Sequence, residues 1–200
     1  HGMLSVSNRP QWLTIKGGSQ EYVKKLTRGF KNKIKLNSMI KNVIRNKNFI
    51  VIEDNKSKEK FDYIFFACHS DEALAILKKP TNDELEILGA LPYQKNDIIL
   101  HTDSSIMPQK KLSWAAWNYN IDSPDDSPIT LTYNMNILQN IKTQDALLVT
   151  LNPKQGISKD KVIKKLQYTH PKFSKESVSA QLKNKIISGK NRTFYSGAYW

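Results

Sequence analysis

The chain has 200 residues, 39% hydrophobic and 24% charged, a composition that suits one or two globular units with an ordinary core and excludes a fibrous or disordered polymer. Its longest apolar runs, Tyr63 to Cys68 and Ala146 to Val149, fall far short of the roughly 20 residues of a membrane-spanning helix, so no transmembrane segment is expected. A formal net charge of +13 raises a nucleic-acid partner, but arginine occurs only at Arg9, Arg28, Arg45 and Arg192 and the lysines are scattered from Lys16 to Lys190, without the basic stripe such a partner needs.

Apolar Tyr22, Val23, Leu26 and Phe30 recur at helical spacing behind Gly17-Gly18-Ser19, which predicts a helix over 19–30 with Ser19 as N-cap. Short β-branched or aromatic runs at 33–36, 39–45, 48–53 and 61–67, separated by Asn, Asp and Lys turns, predict a β-meander. Its last strand is apolar on both faces and is expected in the middle of a sheet. Two short helices follow at 71–77 and 82–88. Strands are predicted at 96–102, 112–119, 129–135 and 146–151, with a Ser123-Pro-Asp-Asp-Ser-Pro128 turn and a helical piece near 136–141. A helix from Ser174 or Lys175 to about Ile187 ends at Gly189, and 193–200 resembles a strand. No repeat of roughly 20 to 50 residues is present. The class is α+β, or mixed α/β, because the strands are too close together for simple βαβ alternation.

Few residues offer chemistry outright. Cys68 is the sole cysteine, so no intrachain disulfide or multi-cysteine metal site forms; a reducing, cytoplasmic setting is expected, and His1 to Pro10 shows no secretory pattern. Cys68 reads as a small core residue or as a reactive thiol. His69-Ser70-Asp71 has the residue types of a nucleophilic triad, but adjacent residues cannot converge as a triad does. His69, His101 and Asp103 lack any short-spaced metal pattern and read as polar residues at strand ends, so no metal is expected. Trp117 and Tyr119 share one face of a strand and Trp114 takes the other; they serve either as core or as walls of a flat apolar pocket. Gly17 and Gly18 either form a turn or offer backbone N–H groups to an anion.

The order of these pieces is more specific than any one of them. Gly17-Gly-Ser19 at a helix start, Leu36 and Ile40 on the first meander strands, and Phe61-Asp-Tyr-Ile-Phe-Phe-Ala67 as a return strand resemble the flavin-containing amine oxidases. Arg9-Pro-Gln-Trp12, His69-Ser-Asp71, Leu100-His-Thr-Asp103, Trp117-Asn-Tyr119, Thr132-Tyr133, Met135-Asn136, Val149-Thr-Leu-Asn-Pro153, His170-Pro171 and Gly197-Ala-Tyr199 are similar to a bacterial branch of that superfamily, predicted NAD/FAD-binding proteins.

The resemblance implies FAD as cofactor. It implies Ile40 beside the adenine, Ala67 and Cys68 ending a strand that returns to the cofactor, and Gly17 and Gly18 at the cofactor-side helix. Lys95 falls near the lysine that holds a water close to the flavin in many members. Glu21 stands where the best-known oxidases place a cavity glutamine, Gln20 being one residue early, and Trp117 and Tyr119 would face substrate. The implied organisation is a substrate-side segment at 1–13, the outer FAD-domain part at 14–69, a substrate-binding domain at 70–192 and a return strand at 193–200. The family's glycine fingerprint for the pyrophosphate is missing from this sequence, which implies that the chain alone holds FAD weakly or not at all and is inactive. The implied reaction is hydride transfer from an organic substrate to flavin, the substrate being an amine or a lipid acyl chain. A catalytically silent binding module is the alternative from another class, and a basic nucleic-acid binder a second.

Overall fold

A computed structural model describes residues 7, 13–120, 129–154 and 156–200. The Arg9 to Trp12 motif and the Ser123 to Pro128 turn lie outside the described residues. The chain divides into two compact units, His1–Ile34 with Asn96–Tyr168, and Lys35–Lys95 with Thr169–Trp200. Helices and strands are mixed throughout, as the sequence predicts.

The first unit begins with α1 (Gln20–Thr27), shorter at both ends than the periodicity suggests. Ser19 occupies the N-cap position without a side-chain cap bond, and no α1 residue is buried. Residues 33–36 are not a strand; Lys31–Lys33 is a single 3-10 turn instead.

The rest of that unit is organised by one sheet, in spatial order β6-β7-β8-β5-β9. Its strands are β5 (Tyr93–His101), β6 (Trp117–Asn120), β7 (Thr130–Asn134), β8 (Leu148–Leu151) and β9 (Val162–Pro171); unit boundaries fall within β5 and β9. β7 pairs antiparallel with β6 and β8, and β8 antiparallel with β5. Alternate β7 residues Thr130, Thr132 and Asn134 are buried, as are Leu148 and Thr150 on β8, so one face of this sheet is polar yet withdrawn from water. α4 (Met135–Gln139) follows β7, and Asn140, the residue after it, has φ 51°, a left-handed cap that asparagine tolerates.

The second unit opens with a meander that keeps two of the expected strands, near 39–45 and 48–53, and takes its third from 58–61, mostly a stretch that the sequence reads as a turn. β1 (Ile40–Arg45), β2 (Ile50–Asp54) and β3 (Lys58–Phe61) are antiparallel, with Arg45 opposite Ile50 across a four-residue turn. Asp54 closes the next turn, its Oδ1 accepting the Lys56 and Ser57 N–H groups at 2.8 and 2.6 Å.

The apolar run at 61–67 departs from expectation. Among the described residues it yields the short β4 (Ile64–Phe66), paired in parallel with β10 (Thr193–Tyr195) in a two-stranded sheet. It is apolar on both faces for a different reason from central-sheet burial. Phe66 stacks on Tyr195 at 5.5 Å toward the core, while Phe65, 65% exposed, stacks on Phe194 at 4.5 Å on the open side.

α2 (Ser70–Ile76) and α3 (Asn82–Gly89) match the predicted pair within a residue or two. α3 has a reciprocal capping box, Thr81 Oγ1 accepting from Glu84 N at 3.2 Å and Glu84 Oε2 from Thr81 N at 2.7 Å. The single predicted C-terminal helix is broken into α5 (Lys175–Gln181) and α6 (Asn184–Ile187), closed by Gly189 at φ +88°. The core of this unit is a continuous cluster of Val43, Ile50, Phe66, Leu88, Ile187 and Tyr199 with their neighbours. At about 1.5–3 kcal/mol per large apolar side chain, it is the main source of stability of this unit.

Candidate functional site

Two groups of candidate residues are formed, one in each unit. The first lies at the carboxyl ends of the parallel strands β4 and β10, the position at which open parallel sheets bind ligands. Ala67 is exposed there and Cys68 half-buried. Burial pushes the Cys68 thiol pKa up, and the Glu72 carboxylate adds to it. The Ser70 N–H donates to the Tyr93 hydroxyl at 2.8 Å, and the His69 ring stacks on Tyr93 at 4.3 Å. His69 Nδ1 meets Thr169 Oγ1 at 3.2 Å.

From the other strand the chain turns back at Gly197. A Cβ there would stand 2.1 Å from the Tyr199 ring and 2.7 Å from the Cys68 carbonyl oxygen, so glycine is what lets Tyr199 fold under the end of β4. Burial raises the Tyr199 phenol pKa, with Tyr93 and Cys68 adding to the effect. The Trp200 indole lies close enough to favour the phenolate slightly, but the two polar atoms do not reach hydrogen-bond geometry.

The hydroxyls of Ser70 and Tyr199 are buried outside hydrogen-bond geometry, although the Ser70 side chain lies close enough to Tyr93 to favour its phenolate. Unsatisfied buried hydroxyls are costly, and polar atoms of a bound group would relieve them. Ser70 is therefore no triad nucleophile, since no base touches its Oγ. Ala67, at the end of β4, is exposed.

The other expected site positions have local surroundings of their own. Ile40 lines a separate 300 Å³ groove on the meander with Ile52 and Phe61, apolar walls edged by Lys35, Asp54 and Glu59. Gly17 and Gly18 have φ +84° and +87°, and the Gly18 N–H is already donated to Ile15 O at 2.9 Å. This is the turn reading of the glycine pair, and that N–H is not free for an anion. Glu21 is half-buried and ion-paired with Lys24 at 2.9 Å. Lys95 is exposed on β5.

The second group lies on the polar sheet face of the first unit. A 310 Å³ cavity is bounded there by Tyr119, Asn118, Met107 and Pro108, with Thr130, Thr132 and Thr150 as floor. Trp117 does not line it; its ring meets Tyr133 edge-on at 6.1 Å. Trp114 lies elsewhere, donating its Nε1–H to Pro108 O at 2.8 Å.

Beside Thr150 on the same sheet face sits His101, fully buried, with Nε2 at 2.8 Å from Thr150 Oγ1 and Nδ1 accepting from Asp103 N at 3.1 Å. Burial lowers the His101 pKa below its ordinary value, outweighing the Asp103 carboxylate. Asp103 is held down to about 2 by the Ser158 N–H, and by the Ser105 hydroxyl and N–H. Both are structural polar residues, and among the described residues no group of three metal-binding side chains forms. The threonine floor was not legible as a site, because threonines alternating along a strand carry no chemical signature until the histidine beside them is placed.

No family model and no curated protein matches the chain. Solved structures do match its fold. A CLA-producing fatty acid isomerase from P. acnes aligns at TM-score 0.64 and 14% identity, over 90% of this chain and 47% of its own. A candidate protoporphyrinogen oxidase from Exiguobacterium sp. 255-15 aligns at TM-score 0.63 and 12% identity, over 96% and 49%. At these identities the likeness is one of fold. The chain spans about half the length of either neighbour. No helix among the described residues is long and apolar enough to cross a membrane.

Proposed function

We propose that this chain is the substrate-side and outer cofactor-side part of an FAD-dependent oxidoreductase resembling the amine oxidases. The observation that carries the reading is the parallel pair β4 and β10, whose carboxyl ends gather Ala67, Cys68, Gly197 and the unpaired hydroxyls of Ser70 and Tyr199. The sequence resemblance and the fold likeness to an isomerase and a candidate oxidase support it.

On this reading 14–69 and 193–200 belong to the cofactor side, and 1–13 and 70–192 to the substrate side. The flavin, when bound, accepts a hydride equivalent from the substrate. Ala67 and Cys68 approach the cofactor through backbone, Ile40 supplies an apolar wall for its adenine, and Gly17 and Gly18 set the turn into the cofactor-side helix. Lys95 holds a water and Glu21 faces the substrate, a small organic molecule; Trp117 and Tyr119 would meet it from the sheet face that carries Tyr133, not from the threonine cavity. No nucleic-acid partner is proposed, and the setting is cytoplasmic. The apolar walls Ile106, Met107 and Pro108 favour a second reading in which the substrate is a lipid acyl chain.

The test is the visible spectrum of the product of the complete gene. Flavin absorbance that bleaches anaerobically with a candidate amine or acyl substrate is the expected result. A purified, folded protein that neither carries flavin nor takes it up refutes the proposal.

A further inference from the structure

The floor of the 310 Å³ cavity has a fixed donor count. His101 Nδ1 accepts the Asp103 N–H, so its ring proton is on Nε2 and is donated to Thr150 Oγ1. Thr150 Oγ1 and Thr132 Oγ1 are 2.9 Å apart and share one hydrogen bond. Two hydroxyls own two protons; one lies between them, and Thr150 has already accepted from His101. Whichever threonine donates to the other, one hydroxyl proton is left over. Both residues line the cavity, so the surplus donor belongs to its floor.

Of the rest of the lining, Gln109 and Asn120 can donate or accept and favour neither sign. The lining contains no aspartate or glutamate, and its one charged residue is Lys154, which is exposed. The Thr130 hydroxyl is turned away, donating to Asn152 O at 2.7 Å, and Asn118 is engaged with Ala115 and the Thr132 carbonyl. The walls are Ile106, Met107 and Pro108; Tyr119, opposite Leu131 rather than a threonine, turns its ring to the other sheet face. An acceptor head on an apolar body is the complement of one surplus donor, one cation and aliphatic walls. An ammonium head meets no acidic partner there and faces Lys154.

We propose that this cavity binds the carboxylate of an amphiphilic monocarboxylic acid, with the Thr132–Thr150 pair donating to one oxygen, Lys154 neutralising the charge and the Met107–Pro108 wall covering the chain. Neutral buried His101 is the device that fixes the donor direction. That this acid is the substrate rests on the flavin reading; that it binds here does not. Binding to the chain is measured without flavin, so its failure and the failure of the spectral test are separate results.

The experiment is a titration of the 200-residue chain, labelled with 13C in threonine methyls and 15N in histidine, using octanoate and, in parallel, octylamine. Octanoate is expected to shift the Thr132 and Thr150 methyl signals saturably while His101 stays an Nε2–H tautomer. Thr132→Val is expected to weaken octanoate about tenfold or more, as loss of a hydrogen bond to a charged group does, whereas Thr132→Ser retains binding. Lys154→Gln, an exposed change that leaves the sheet intact, is expected to weaken it several-fold and decides the matter if Thr132→Val does not fold. The proposal is overturned if octanoate leaves both threonine signals unmoved, if octylamine binds as tightly, if His101 is protonated on Nδ1, or if Lys154→Gln binds octanoate as the parent does.

Discussion

Glu84 is the most consequential single side chain in the second unit, and its removal gives a quantitative test of the fold. It is 1% exposed and accepts both Arg45 guanidinium nitrogens, at 2.5 and 2.9 Å, with the Thr81 N–H at 2.7 Å and the Tyr195 hydroxyl at 2.8 Å. Glu84→Ala strands the Arg45 guanidinium with only the Lys79 carbonyl, at 3.0 Å, and leaves the Tyr195 hydroxyl unpaired on β10. Breaking one side of a buried pair costs about 3–5 kcal/mol, a large part of a total stability of about 5–15 kcal/mol. For a chain of this size that is a fall in Tm of roughly 6–20 °C. Thermal melting followed by far-UV circular dichroism measures it, with Glu86→Gln as control, since the exposed Lys183–Glu86 pair should leave Tm unchanged.

The same carboxylate sets a pH dependence. Burial by itself pushes Glu84 up, but hydrogen bonds from Arg45, Thr81 and Tyr195 outweigh it and leave the pKa below its ordinary 4.5. A group depressed on folding stabilises above its unfolded pKa and loses that contribution as pH falls through the folded one. Stability should therefore decline below about pH 4.5 in the parent and decline less in Glu84→Ala. An Arg45→Met, Glu84→Leu double variant should recover much of the loss, because an apolar pair has no charge to strand. A Glu84→Ala protein that melts with the parent and keeps the same acid profile refutes this account.

Two further perturbations test the end of β4. Gly197→Ala places a methyl against the Tyr199 ring and the Cys68 carbonyl, and overpacking of this kind costs roughly 1–3 kcal/mol, visible as a lowered urea midpoint with an unchanged m value; an unshifted midpoint counts against the close approach. Cys68, its thiol pKa raised first by burial and then by Glu72, should react with iodoacetamide more slowly than free cysteine at neutral pH, and Glu72→Gln should speed it; alkylation at the free-thiol rate would show that the end of β4 is open.

What the sequence could determine by itself was local. Thr81 and Glu84 three residues apart, the Asp54 turn, and the glycine pair before α1 are written in neighbouring residues, so α2, α3, the meander turns and the start of α1 were legible. β9 went unread because its alternation is carried by half-buried Val162 and Leu166 among exposed lysines, and only pairing with β5 makes it a strand. The parallel partner of β4 lies about 130 residues away at β10, and Glu84 draws on Arg45, 39 residues before it, and Tyr195, 111 after it.

The candidate sites followed the same division. Ala67, Cys68, Gly197 and Tyr199 stood out as motif residues, but their meeting, and the two unpaired hydroxyls it leaves, depends on that long-range pairing. Trp117 and Tyr119 share a strand face by period alone, but it is the face of Tyr133 and Leu131, so the side chains of β6 turned toward the threonines are Asn118 and Asn120, which only the register with β7 decides. Sequence fixes which residues can turn, cap or alternate, since those preferences are set within a few peptide units. Tertiary structure decides which buried donors and acceptors meet, since those atoms belong to segments that only the closed chain brings within hydrogen-bond reach.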